Sequence, residues 1–119
     1  MDNSFSQLVN LMARLRGPAG CPWDREQTPE SLKPFLIEEC YEVIEALEEG
    51  SPDKVKEELG DLLFQIIFHA RIAEEQGTFT IKEVISAIVD KMTRRHPHVF
   101  GEEEVSTSGE VLANWEEIK

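Results

Sequence analysis

Apolar residues return at intervals of three and four along almost the whole chain, and nowhere do they alternate with the period of two that a half-buried strand requires. The first stripe is Phe5, Leu8, Met12 and Leu15, with Val9 beside it. Ser4-Phe5-Ser6-Gln7 reads as a capping box ahead of it, and Gly17-Pro18 ends it. From Gly17 to Asp24 the chain is too rich in Gly and Pro for regular structure, and Trp23 within that loop is expected to pack against the helices. Thr28-Pro29 then reads as an N-cap followed by a first-turn proline. Pro34 demands either a single turn and a restart or a kink. Beyond it Leu36, Ile37, Cys40, Val43, Ile44 and Leu47 form one face, opposite Glu38, Glu42, Glu45 and Glu49, and Gly50 suits the position after the helix end.

Ser51-Pro52-Asp53 carries a cap, a first-turn proline and an early acid, the marks of a third long helix. Its first turns are charged, but after Leu59 it is apolar nearly all round, through Leu62, Leu63, Phe64, Ile66, Ile67 and Phe68, until Gly77. Such a helix is central in a bundle or buried in an oligomer interface, and a chain of 119 residues can hardly wrap it alone, so a dimer is expected. Thr80-Ile81-Lys82-Glu83 opens a fourth helix with Ile81, Val84, Ile85, Ile88, Val89 and Met92 on its apolar face and Pro97 as its stop. A loop from Pro97 to Ser106 precedes a short last helix with Val111, Leu112, Trp115 and Ile118 inward. The pattern predicts an all-α, four-helix-bundle-like core with a short C-terminal helix, one domain over residues 1–119, completed by dimerisation.

The acids complicate this picture. At 100° per residue Glu39 lies about 60° from Glu42, on the border between the polar and apolar faces of its helix, while Glu38 lies nearer the solvated side. On the next helix Glu58 and Asp61 share the same spacing, and Asp61 stands directly before Leu62-Leu63-Phe64, where the helix should be entering the core. Unpaired buried carboxylates are costly, so Glu39, Glu42, Glu58 and Asp61 are expected to face one another around a cation. Four hard oxygen donors suit Mg2+, with Mn2+ as a substitute, and Mg2+ retains sites for substrate phosphates. A carboxylate bundle for iron would want Glu-x-x-His, and no His stands three residues after Glu39 or Glu58. Lys54, Glu58, Asp61, Gln65 and His69 form one stripe of the third helix. His96 and His98, flanking Pro97, are expected to shape a helix end rather than bind metal.

Composition narrows the partners. A net charge of −12 opposes nucleic acid binding, which relies on clustered Lys and Arg, but not a nucleotide held through metal ions. No apolar run approaches a membrane span, and the start Met1-Asp2-Asn3-Ser4 lacks a signal-peptide pattern, so a cytoplasmic protein without membrane contact is expected. Cys21 and Cys40 are too few for a disulfide scaffold and read as reduced thiols. Phosphate loops of the Gly-x-x-x-x-Gly-Lys kind, dinucleotide fingerprints and nucleophile elbows are absent from the sequence.

The ordered set Glu38-Glu39-Cys40-Tyr41-Glu42, then Glu58-Leu59-Gly60-Asp61, resembles the signature of the all-α nucleoside triphosphate pyrophosphohydrolases. Gly20-Cys21-Pro22-Trp23-Asp24, Glu26-Gln27-Thr28, Gly60-Asp61-Leu62-Leu63-Phe64, Arg94-Arg95-His96-Pro97-His98-Val99-Phe100 and Trp115-Glu116-Glu117-Ile118-Lys119 extend the resemblance to the MazG branch over nearly the whole chain. It implies Mg2+-dependent cleavage of a nucleoside triphosphate to the monophosphate and pyrophosphate, clearing excess or non-canonical nucleotides. It implies metal ligation by Glu39, Glu42, Glu58 and Asp61, catalytic roles for Glu38, Glu39 and Glu58, and phosphate contacts from Lys54, Lys91 and Arg95. Trp115 and Lys119 would complete the nucleotide pocket, with Glu57 near the substrate, in a homodimer or higher homo-oligomer. Alternatives within the resemblance are a narrower dUTP or phosphoribosyl-ATP specificity and a catalytically weak dimeric interaction or regulatory domain. Many members carry two such domains in tandem, and the Cys-Pro-Trp-Asp stretch matches the first of the two, which can be the less active.

Overall fold

The computed structural model describes residues 3–118, in which seven helices and no strand occur. They are α1 (Ser4–Leu15), α2 (Pro22–Glu26), α3 (Pro29–Glu49), α4 (Pro52–Glu75), α5 (Ile81–Arg94), α6 (Pro97–Phe100) and α7 (Ser108–Ile118). They fall into two compact units, one ending at Ile81 and the other beginning at Lys82.

In the first unit α4 is the shared element, packed along α3 and against α1. Its core is Met12 of α1, Leu32 of α3, and Ile67, Phe68 and Ile72 of α4, with Leu8, Val9, Phe64 and Ile81 against them. Phe64 meets Phe68 edge-on, the ring centroids being 5.9 Å apart. Arg16, just beyond α1, donates to both carboxylate oxygens of Glu75 at 2.9 and 2.7 Å, and to the carbonyl oxygens of Asp24 and Gln27 at 2.6 and 3.3 Å. One guanidinium thereby ties α1, the short α2 and the end of α4 together. Gly20 allows this tight path, since a Cβ there would run into the carbonyl oxygens of Arg14 and Leu15.

The caps mostly follow the sequence. Thr28 Oγ1 accepts from Ser31 N at 3.1 Å and Ser31 Oγ from Thr28 N at 2.8 Å. Ser51 Oγ accepts from Lys54 N at 3.4 Å, and Gly50 closes α3 in the left-handed region at φ 71°. Pro34 lies inside a single helix, so no restart occurs. At the N-terminus Asn3 takes the cap position and makes no side-chain cap bond, contrary to the capping box expected from Ser4.

Three expectations are corrected. The Gly- and Pro-rich loop contains the short helix α2, started by Pro22 at its first position, and Trp23 is 48% exposed, touching Phe35 edge-on with centroids 5.6 Å apart. On α3 the inward face is not the one with the most apolar residues. Leu32, Glu39, Val43 and Ala46 lie on one side, while Ile37, Cys40, Tyr41, Ile44 and Leu47 are exposed. Asp61 is exposed as well. It lies two turns before Phe68 and within about 20° of it around α4, on the core stripe but past the residues of that stripe that are covered.

In the second unit the expected loop after Pro97 begins as the helical turn α6, again with a first-turn proline. His96 Nδ1–H donates to the Met92 carbonyl oxygen at 2.6 Å, so this imidazole closes the end of α5. Thr107 Oγ1 accepts from Glu110 N at 3.3 Å and the Glu110 carboxylate from Ser106 N at 3.2 Å, capping α7. Val111, Trp115 and Ile118 are half-buried, whereas Leu112, expected inward, is exposed, as are Ile85, Ile88 and Val89 of α5. No described helix is long and apolar enough to cross a membrane.

Candidate metal centre

Because α3 and α4 are joined by the short turn at Gly50 and Ser51, they run antiparallel, and the two i, i+3 acid pairs meet across the seam. One carboxylate oxygen from each of Glu39, Glu42, Glu58 and Asp61 lies within 4.8 Å of the others. The first three are half-buried and Asp61 is at the solvent edge. Glu39 Oε2 and Glu58 Oε2 are shielded from solvent and accept no hydrogen bond.

Four carboxylates this close repel one another unless protons or a cation intervene. The Glu58 carboxyl is pushed up to about 7, first by its hydrogen bond with Glu42, then by burial and by the charges of Glu42, Asp61 and Glu39. Burial, followed by Glu42, Asp61 and Glu38, raises Glu39. Orphaned, shielded oxygens and a donor set of hard carboxylates fit a divalent cation such as Mg2+. The protons held up here are those a cation would displace.

Beside the quartet lies a cleft of about 340 Å3 lined by Glu42, Glu45, Glu49, Lys54, Glu57 and Glu58. Lys54 Nζ donates to Glu49 Oε2 at 2.9 Å, a partner not expected from the sequence, and that contact raises the lysine's pKa. Glu38 is exposed, outside the quartet, as its position on the helix suggested. In the second unit Lys91 is exposed on α5. The Arg95 guanidinium lies 5.4 Å from the Trp115 ring centroid, and the His96 ring meets the same indole edge-on at 5.1 Å. Arg95 Nε is shielded and without a hydrogen-bond partner. Lys119 lies outside the described residues.

Two helices that present two pairs of carboxylates to each other, in an all-α chain, define a carboxylate-bundle protein. The chain belongs to the MazG nucleotide pyrophosphohydrolase domain family, whose model matches residues 27–100. It is 56% identical, over 97% of its own length, to the nucleoside triphosphate pyrophosphohydrolase/pyrophosphatase MazG of Thermotoga maritima, of which it covers 44%. It is 48% identical, over 98% of its length, to the nucleoside triphosphate pyrophosphohydrolase of Escherichia coli, of which it covers 45%. The chain thus spans less than half the length of these curated relatives. A MazG-related protein from Thermotoga maritima of known crystal structure superposes with a TM-score of 0.79 at 30% identity, covering 95% of this chain and 96% of that one.

Proposed function

We propose that this domain hydrolyses nucleoside triphosphates to the monophosphate and pyrophosphate, removing excess or non-canonical nucleotides in the cytoplasm. The observation that carries this reading is the quartet of Glu39, Glu42, Glu58 and Asp61, in a chain that belongs to a nucleotide pyrophosphohydrolase family. The matched stretch runs through both compact units, which supports treating 1–119 as one functional domain.

Glu39, Glu42, Glu58 and Asp61 would hold Mg2+, or Mn2+ in its place. When bound, the ion polarises phosphoryl oxygens and neutralises charge that develops on them. Glu58 is both a ligand and a catalytic carboxylate in this reading, its raised pKa belonging to the cation-free cluster. Glu39 shares that environment, and Glu38 acts from the exposed flank with Glu57 beside the substrate. Lys54 exchanges Glu49 for a phosphate oxygen, a low-cost swap because the Lys54–Glu49 pair is exposed. On the resemblance, Lys91 and Arg95 are proposed as phosphate contacts, and Trp115 and Lys119 as nucleotide contacts. The stacked Arg95 and Trp115 support this, since the pair offers one charged and one flat surface to a nucleotide.

A homodimer or higher homo-oligomer is part of the proposal. Ile37, Tyr41, Ile44 and Leu47 of α3 and Leu59 and Leu63 of α4 are each 39–63% exposed, an unusual amount of bare apolar surface for so small a chain.

The test is pyrophosphate release from a panel of triphosphates with Mg2+, for wild type, Glu58→Ala and Asp61→Ala. We expect equal yields of monophosphate and pyrophosphate from wild type and a loss of at least about a hundredfold in both variants. Full activity in both would remove the metal assignment. Turnover of dUTP or phosphoribosyl-ATP alone would narrow the substrate, and no turnover with intact nucleotide binding would favour a regulatory domain.

A further inference from the structure

The seam that sets Glu42 against Glu58 continues toward the α3–α4 turn. Glu49 lies on the stripe of Glu42, within about 20° of it around α3, and Lys54 stands one turn before Glu58 on α4. These two side chains form the next rung, Lys54 Nζ donating to Glu49 Oε2 at 2.9 Å. The turn dictates their meeting. Gly50 reverses the chain in the left-handed region at φ 71°, and Ser51 Oγ caps α4 by accepting from Lys54 N at 3.4 Å.

Both partners line the cleft beside the quartet, together with Glu42, Glu45, Glu57 and Glu58. Among the described residues lining it, Lys54 is the one cation. A phosphate that reaches Lys54 along this seam must take it from Glu49, and the vacated carboxylate then stays in the same cleft as a like charge. We infer that Glu49 is a competing partner for Lys54, which weakens the hold of this site on a metal-bound polyphosphate chain and so sets the triphosphate concentration at which the domain fills. The inference rests on the triphosphate reading above, in which Lys54 contacts a phosphate. Without Glu49, the acids left to Lys54 are Glu57 and Glu58, three and four residues on along its own helix, which already act on it after Glu49. A lysine placed before its acid makes a weaker helical pair than the reverse order, so Lys54 is then freer for phosphate and nearer the quartet. The pair is 61% and 52% exposed, so the competition is small in scale and screened by salt.

The experiment measures equilibrium binding of inorganic tripolyphosphate and of a non-hydrolysable nucleoside triphosphate, both with Mg2+, at low ionic strength. Wild type, Glu49→Gln, Glu45→Gln, Lys54→Met and the double variant Glu49→Gln/Lys54→Met are compared. Glu45→Gln removes a charge from the same cleft without touching the pair, and so reports general repulsion. Glu49→Gln should bind both ligands about two- to fivefold more tightly than wild type, the range of an exposed ion pair, and beyond any change in Glu45→Gln. The excess should vanish when Lys54 is already Met, and shrink at high salt. Equal effects of Glu49→Gln and Glu45→Gln overturn the inference, and so does an excess that survives without Lys54. Weaker binding by Glu49→Gln overturns it in the opposite sense, since Glu49 would then hold Lys54 ready for phosphate. Wild-type affinity in Lys54→Met overturns it as well, while leaving the triphosphate reading standing. Failure of that reading has a different signature, since wild type would then bind neither tripolyphosphate nor the nucleotide.

Discussion

The two halves of α4 do opposite work. Its second half contributes Ile67, Phe68 and Ile72 to the dry cluster with Met12 and Leu32, where every side chain is at most 3% exposed. Its first half sets Glu58 and Asp61 against Glu39 and Glu42, where like charges crowd and two oxygens lack partners. One continuous helix therefore carries both the anchor and the strained site. Packing at one end holds in place an acid cluster that would otherwise push its two helices apart, which is the usual relation between a rigid scaffold and a site that is unfavourable on its own.

The contrast breaks most severely at Phe68. Phe68→Ala should cost about 3–5 kcal/mol in denaturant unfolding, by lost transfer energy and the cavity left behind. A loss below about 1 kcal/mol would mean the second half of α4 is not the anchor. Arg16→Lys comes next. It gives up the paired bonds to Glu75 and the contacts to Asp24 and Gln27, and should cost about 1–2 kcal/mol, because Glu75 is a third exposed. The pKa of Glu75, lowered by its bond with Arg16, should return toward 4.5 in an NMR titration of the variant.

The acid half should show the reverse sensitivity. The Glu58 carboxyl is raised from 4.5 to about 7 in the folded chain, so the folded state holds a proton that the unfolded state releases. Its stabilising contribution is complete below pH 4.5 and is lost as the pH rises through 7. The metal-free Tm should fall by a few degrees over that window, recover with Mg2+, and fall less in Glu58→Gln. A flat metal-free profile would mean that the four acids do not interact.

Much of this was legible in the sequence, for identifiable reasons. Thr28, Ser51 and Gly50 mark helix ends by local backbone chemistry, and those ends fall as read. The i, i+3 spacing of Glu39 with Glu42 and of Glu58 with Asp61 set the quartet, because spacing on a helix determines which side chains share a face. What periodicity could not supply is which apolar face turns inward. Ile37, Ile44 and Leu47 look like core residues, yet α3 packs through Glu39, Val43 and Ala46 and leaves them bare. A hydrophobic stripe reports that a face avoids water somewhere, without distinguishing its own chain from a second one. Asp61 illustrates the same limit, since its apolar neighbours Leu59 and Leu63 are themselves exposed. Gln65 and His69 shared the stripe from the start, but their lack of partners is a three-dimensional fact.

The central claim, that the first half of α4 and the facing turn of α3 form a divalent-cation site, is tested most directly by calorimetric titration of Mn2+ into the nucleotide-free protein at pH 8. Wild type should bind saturably, and Asp61→Ala and Glu58→Ala should each lose most of that binding while keeping the helical circular dichroism of wild type. Equal Mn2+ binding by all three proteins would contradict the account.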